Sequence, residues 1–335
     1  MSGKSKIILL IIVIIVAIFA YRHYNQPAPE PQEITQTKVG VLAPLTGVMA
    51  PWGEESERGI NEAVVENSEF IFEDTQCEPT EAVNAFKKLS EVDQLKFYIG
   101  PSCGSPQEAI APMIKDKDMV VLLPVAASEK LHEQSGGKVF QMQYSIEAES
   151  KYIAQQMNAQ GFERVAAINY QNAFSQTSFN AFKSEFDGVI DEITFVDMTT
   201  DLNTGITKIK RFEPEAIYVS DVSFFVVNGL EKLATNKIEA PIYSLYVTQY
   251  EPIRSLVEGV IYSFPGNLDG DQGPEYSLNK AAAELMGKLL SECNSQTDCV
   301  LNKLNNSPDF NDQGISTRPL ILKQVVNGQP VKFSP

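Results

Sequence analysis

Four cysteines, two histidines and a single tryptophan are the scarce side chains with most capacity for chemistry in this 335-residue sequence. The histidines are His23, beside an apolar leader, and His132, in a polar stretch. A histidine-based zinc site or a Ser-His-Asp triad would have to be built on His132 alone, which leaves both short of parts. Cys77, Cys103, Cys293 and Cys299 form no Cys-x-x-Cys pair, so they read as disulfides before metal ligands. Glycine-rich phosphate chemistry is missing too. Gly47 and Gly53 are wrongly spaced for a dinucleotide fingerprint, and Gly100–Ser105 lacks the Gly-Lys-Ser/Thr ending of a P-loop. There is no Gly-x-Ser-x-Gly nucleophile elbow. The expectation is a protein that binds rather than one that catalyses, with no metal and no cofactor.

The elements that must position these residues alternate. Short β-rich runs are Lys38–Ala43, Phe70–Glu73, Phe97–Gly100, Met119–Leu123 and a weaker Lys138–Met142. A second series is Val165–Tyr170, Glu192–Val196, Ala216–Ser220, Pro241–Leu245 and Gly259–Phe264. Amphipathic stretches predict helices over 54–66, 79–90, 106–115, 147–160, 173–187, 204–211, 224–234, 275–291 and 299–305. Strand–helix alternation on this scale predicts right-handed βαβ units and parallel sheets covered on both faces. Two such series predict an α/β chain of two similar lobes, each a three-layer α/β/α sandwich. Ligands of such sheets bind at the carboxyl ends of the strands, here a cleft between lobes. Cys77 and Cys103 each follow a strand of the first series, so their thiols emerge on one sheet edge and can pair. Cys293 and Cys299 flank a polar turn between two helices and can staple them.

Residues 7–20 are an unbroken apolar run behind Lys4 and Lys6. As a helix the run spans about 21 Å, short of a bilayer's hydrocarbon core. That length suits a signal peptide within residues 1–24, or a short uncleaved anchor if Tyr21, Arg22 and Tyr24 extend the membrane segment through 7–21. Either way the bulk of the chain is oriented outward, as an extracytoplasmic protein of the cell envelope, secreted or membrane-anchored. Residues 25–36 hold three prolines and no apolar cluster, an extended stalk. The formal charge is −16, and since residues 1–24 hold three bases and no acid, the rest carries −19. So acidic a body repels phosphate backbones, which argues against nucleic acid as a partner.

The run Lys38-Val-Gly-Val-Leu-Ala-Pro-Leu-Thr-Gly47, followed by Trp52-Gly53 and Gly59, resembles the opening of type I periplasmic binding proteins. The closest branch is the leucine/isoleucine/valine receptors of ABC importers. The resemblance continues through Glu73-Asp74, Cys77, Pro79, Ala82-Val83, Ile99-Gly100-Pro101, Cys103, Ser105 and Pro124, and covers about residues 37–330. It implies two α/β lobes joined by three crossovers near residues 144, 265 and 318. One lobe would then be 37–144 with 266–318, the other 145–265 with 319–335. It also implies the Cys77–Cys103 disulfide, a ligand held in the cleft, hinge closure, and ABC permease subunits as partners.

The resemblance places Trp52 at the cleft mouth against the ligand, and Pro51 and Gly53 beside it favour an exposed turn. Gly104 stands where amino-acid receptors carry a carboxylate-binding serine, leaving Ser105 as the nearby hydroxyl. Free amides at this helix N-terminus suit an anion. In the second clamp segment Ala126 and Ala127 replace the family's pattern, with Ser128 one step late. From the second lobe come Phe174, where relatives have tyrosine, and Asp221 with Ser223, where Asp221 is either a partner for a ligand cation or a solvated aspartate. Tyr246 stands where α-amino-acid receptors carry the glutamate that holds the ammonium. An unpaired buried ammonium costs several kcal/mol. The expected ligand is therefore a small organic carboxylate or amide, or an amino acid if Asp221 substitutes, in a cleft lined by Trp52, Phe174, Tyr246 and Tyr276. The alternative function is a ligand-sensing ectodomain that signals through a separate partner.

Overall fold

The computed structural model describes Tyr21 and residues 36–125, 128–171, 173–195, 203–220, 227–245, 257–266 and 273–334. The apolar run of residues 7–20 and the proline-rich stretch 25–35 lie outside these. Among the described residues no helix is long and apolar enough to cross a membrane. Thr37–Pro335 forms a unit of its own.

Its first sheet, sheet A, is parallel throughout. The strands are β1 (Thr37–Ala43), β2 (Ser68–Asp74), β3 (Phe97–Ile99), β4 (Val120–Leu123) and β5 (Val139–Gln141), in the order β2-β1-β3-β4-β5. The helices that follow the strands are α1 (Ala50–Asn61), α2 (Pro79–Lys87), α3 (Gly104–Ile114) and the short α4 (Leu131–Gln134). β4 reads Val-Val-Leu-Leu because both of its faces are covered. Val120 and Leu122 join one buried cluster, with Ile60 of α1. Val121 and Leu123 join another, with Phe86 of α2 and Ile110 of α3. That alternation is the three-layer sandwich written in four residues.

Sheet B runs in the order β12-β11-β10-β9-β8-β6-β7. Its parallel strands are β6 (Arg164–Tyr170), β7 (Val189–Phe195), β8 (Ala216–Val219), β9 (Ile242–Ser244) and β10 (Ile261–Pro265). The helices α5 (Ile146–Ala159), α6 (Ala173–Glu185), α7 (Asn203–Phe212) and α8 (Val227–Thr235) complete it. All ten strands expected from sequence are present, but sheet B is not purely parallel. β11 (Leu320–Val326) and β12 (Gln329–Lys332) extend it antiparallel from β10. Asn327 and Gly328, at φ +53° and +69°, make the two-residue turn that joins them.

Between the sheets the chain passes three times. After β5 it enters α5, whose cap is Ser145; the Ser145 hydroxyl accepts from the Ala148 amide at 3.1 Å. After β10 it returns as α9 (Pro274–Cys293) and α10 (Thr297–Asn305), which pack into the sheet A cluster through Leu278, Met286 and Leu304. It leaves again through Arg318 and Pro319 into β11. These passages are tied together. Arg318 Nη1 donates to the Met142 carbonyl at 3.4 Å, and the Gly266 amide donates to the Pro319 carbonyl at 2.6 Å.

Candidate functional site

The site expected from sequence lies at the carboxyl ends of sheet A, and side chains there lock the loops. Asp74, the last residue of β2, accepts hydrogen bonds from the backbone amides of Leu45 at 2.8 Å, Thr46 at 3.2 Å and Gln76 at 2.9 Å, and from the Thr46 hydroxyl. Partial burial works against its ionisation, but these donors prevail and hold the carboxyl below its ordinary range. The turn after β1, which leads to Trp52, is thereby fixed to the end of β2.

Cys77 and Cys103 form a disulfide with Cα atoms 5.5 Å apart, joining the loops after β2 and β3. Cys103 then caps α3 in an extended conformation, so Gly104 and Ser105 present first-turn amides that no helical carbonyl can reach. Gly104 is half-buried and the Ser105 side chain is exposed. Gln107, two residues on, is 2% exposed and spends both amide hydrogens on backbone carbonyls: Pro101 at 2.8 Å and Val125 at 2.7 Å. It therefore sets the spacing between the two expected clamp segments. Nearby, Thr75 Oγ1, Ser102 Oγ and Gln107 Oε1 are buried with no hydrogen-bond partner. In the second segment the Ser128 hydroxyl accepts from the Lys130 amide at 3.3 Å, and the Ser128 carbonyl accepts from Gln141.

Trp52 is not on an exposed turn. Pro51 starts α1 earlier than the hydrophobic pattern suggests, placing Trp52 in its first turn, 6% exposed. Trp52 shares one contiguous apolar cluster with Met49, Val125 and Ile146, and that cluster continues into the core of sheet B. Cys77 from the sheet A side and Phe174 from the first turn of α6 pack against the same cluster. Trp52 and Phe174 thus belong to one contiguous apolar cluster, Trp52 within it and Phe174 packed against it.

Tyr276 goes elsewhere. Its hydroxyl donates to Glu62 Oε2 at 2.5 Å and the Arg58 guanidinium lies 4.1 Å over its ring. α1 can approach α9 this closely because position 59 is glycine: a Cβ there would stand 2.3 Å from the Tyr276 carbonyl oxygen. Tyr276 is committed to the α1–α9 contact, about 10 Å along α1 from Trp52. Its hydrogen bond to Glu62, with a smaller contribution from burial, raises its pKa. Ala126, Ala127, Asp221 and Tyr246 lie outside the described residues. Cys293 and Cys299 form the second disulfide, Cα atoms 5.6 Å apart, across the α9–α10 turn.

Sheet B contributes polar groups that the sequence reading did not single out. At the ends of β6 and β8, Ser175 and Ser220 hydroxyls meet at 2.5 Å, and Ser220 donates to Asn169 Oδ1 at 2.8 Å. Ser175 also accepts from the Tyr170 amide at 2.7 Å. The only signal in the sequence is a polar residue at each strand's carboxyl end. Among the described residues no group of three or more histidine, cysteine or carboxylate side chains is placed to hold a metal. What the arrangement offers a small molecule is free first-turn amides at the end of sheet A and an apolar cluster shared by the two sheets.

Comparison with known proteins agrees with this geometry. The profile of a family described as periplasmic binding protein matches residues 36–272. An amino acid binding protein of Pseudomonas aeruginosa is 23% identical over 54% of this chain and 52% of its own length. The Leu/Ile/Val-binding protein homolog 3 of Brucella melitensis is 24% identical over 54% of this chain and 53% of its own. The chain spans about half the length of the curated relatives it matches. Among solved structures, the leucine binding protein LivK of Thermotoga maritima superposes with a TM-score of 0.78 at 16% identity, over 89% of this chain and 98% of that one. A solute binding protein of an ABC transporter from Rhodopseudomonas palustris, in complex with benzoate, gives 0.75 at 14% identity, over 89% and 96%. The extent of the family match, on a fold of two α/β sheets crossed three times and shared with solved type I binding proteins, leads to one conclusion: the chain belongs to the periplasmic binding proteins.

Proposed function

We propose that this protein is the solute receptor of an ABC importer, held outside the cytoplasmic membrane by its N-terminal apolar segment. In this reading it captures a small organic carboxylate, amide or amino acid between its two lobes by hinge closure, and performs no reaction on it. The observation that carries the reading is the shared cluster of Trp52, Val125 and Phe174, an apolar surface that continues from the loops of sheet A into the core of sheet B. Family membership supports an extracytoplasmic site of action. The solved relatives holding benzoate and 3,4-dihydroxybenzoic acid support an aromatic carboxylate as a ligand class to try first. Glycine at 104 leaves the α3 amides and Ser105 to meet such a carboxylate.

The test is a thermal-shift and calorimetric screen of the full chain in mild detergent against benzoates, branched-chain amino acids, their amides and sugars. Saturable stabilisation by one class, growing with the logarithm of ligand concentration, is the expected result. Absence of stabilisation and of binding heat across all four classes would overturn a solute-receptor role.

A further inference from the structure

Glu149, on the first turn of α5, is 2% exposed and touches no cation among the described residues. Its carboxyl joins two of the three passages between the sheets. Oε1 accepts from Gln143 Nε2 at 2.5 Å, on the first passage, and Oε2 lies 2.6 Å from the hydroxyl of Ser263, on β10 just before the second. Ser263 Oγ also lies 2.5 Å from the carbonyl oxygen of Leu245, at the end of β9. A serine hydroxyl carries one proton and can donate it once. Both of its neighbours here are acceptors if Glu149 is ionised, and one short contact is then left without a hydrogen. The count closes only if Glu149 supplies a proton of its own: the acid O–H donates to Ser263 Oγ, and Ser263 donates to the Leu245 carbonyl.

We propose that Glu149 works as a neutral carboxylic acid whose proton, relayed through Ser263, positions the Leu245 carbonyl and so the end of β9 at the junction of the lobes. Leu245 immediately precedes Tyr246 in the sequence, so this positioning residue acts on the end of the strand that leads to that candidate residue. Burial is the larger influence and pushes the Glu149 carboxyl up to about 7, against the lowering effect of Ser263 and Gln143. The charged groups around it make their hydrogen bonds elsewhere, except that Glu147 Oε2 is buried without a partner. On its own helix, Glu147 faces Ser145, and Lys151 lies among the electrostatic neighbours of Glu147. Glu129, from the turn after β4, accepts from Ser145. Arg318, on the third passage, donates to Met142. From α6 it is Ser178 that meets the next turn of α5, through Ser150, while Glu185 binds Gln155 and Asn158 at the far end. From β9 and β10 the groups at the carboxyl are Leu245 and Ser263 alone among the described residues. Ionisation would turn the Ser263 proton to the carboxylate and leave the buried Leu245 carbonyl without a donor.

The inference does not depend on which solute the protein binds, and its test reads none. Glu149→Gln keeps the neutral pattern, its amide donating to Ser263 as the acid does. A raised carboxyl pKa means the folded state holds a proton the unfolded chain releases, so this contribution is full below the unfolded value and fades as pH rises. Relative to Glu149→Gln, the wild-type folding constant should fall up to tenfold per pH unit between about 4.3, the free glutamate value, and about 7. The two proteins should therefore match in mild acid and the variant should be the more stable in mild alkali. A variant less stable than wild type by the same factor at every pH would overturn the proposal. Carbon-13 NMR of the glutamate carboxyls in the wild-type chain gives a second reading that needs no variant to fold. Because burial also raises the Glu147 carboxyl, the signal is assigned by residue: Glu149 still protonated at about pH 6 is expected, and a spectrum in which Glu149 is ionised there refutes the proposal.

Discussion

Removing the Cys77–Cys103 bridge offers a quantitative check on how the edge of sheet A is held. The bridge closes a loop of sequence separation 26, and Cys293–Cys299 one of only 6. Loop-closure entropy for the longer loop corresponds to about 3.5 kcal/mol at 25 °C, and for the shorter to about 2.4 kcal/mol. Part of any absolute value depends on the unfolded state, but the difference between the two, about 1 kcal/mol, follows from the ratio of loop lengths alone. The assay is urea unfolding of the full chain carrying Cys77→Ala with Cys103→Ala, and separately Cys293→Ala with Cys299→Ala. The first pair should lower the unfolding free energy more, by about 1 kcal/mol beyond the second, with the steeper slope expected of a less constrained unfolded chain. Loss of the 77–103 bridge should also weaken solute binding, since it frees the loops that carry Thr75 and Gly104. Equal destabilisation by both pairs, with binding untouched, would refute the view that this bridge braces the site.

Gly59→Ala should destabilise by about 1–3 kcal/mol, because the new methyl would meet the Tyr276 backbone at 2.3 Å and α9 must shift; thermal melting reads it. Asp74 is held below its ordinary pKa by its hydrogen bonds to Thr46, Gln76 and Leu45, so its contribution is present above the unfolded value and lost as pH falls through the folded one. Asp74→Asn should melt below wild type at neutral pH, and the gap should close in acid; parallel melting curves across that range would contradict it. Tyr276→Phe should leave solute affinity within twofold, because its hydroxyl serves Glu62 on the α1–α9 contact. A larger loss in a binding titration would return Tyr276 to the site.

Much of this fold is legible in the sequence because both faces of most strands are buried. Runs such as Val120–Leu123 and Ala216–Val219 are apolar throughout, and helices of amphipathic spacing separate them. The hairpin at the end of the chain was not anticipated, because it carries no long apolar run. β11 and β12 are short on continuous hydrophobicity, and their signal is Asn327-Gly328, the residue pair that favours a two-residue hairpin. Trp52 was misplaced for a local reason. Proline beside glycine resembles a turn, but Pro51 sits where a helix can begin, and Gly53 is required because a Cβ would fall 2.2 Å from the Pro44 carbonyl oxygen. The contacts of Tyr276 with Glu62 and Arg58 were not legible in the sequence, because which helix α9 lies against is a tertiary fact. Glu149 and Gln107 were silent for the same reason. A glutamate in a helix's first turn and a glutamine near its start are ordinary surface residues until the neighbouring loops bury them.

The central proposal is that a small molecule binds at the apolar cluster to which Trp52 and Phe174 both belong. Trp52 is the sole tryptophan, so its emission reports that place without labelling. Titrating the full chain with the benzoates and branched-chain amino acids should give a saturable change in emission with one class, abolished by Phe174→Ala. Unchanged emission with every class, alongside calorimetry that detects no binding, would contradict the account and leave the apolar contact between the sheets as packing alone.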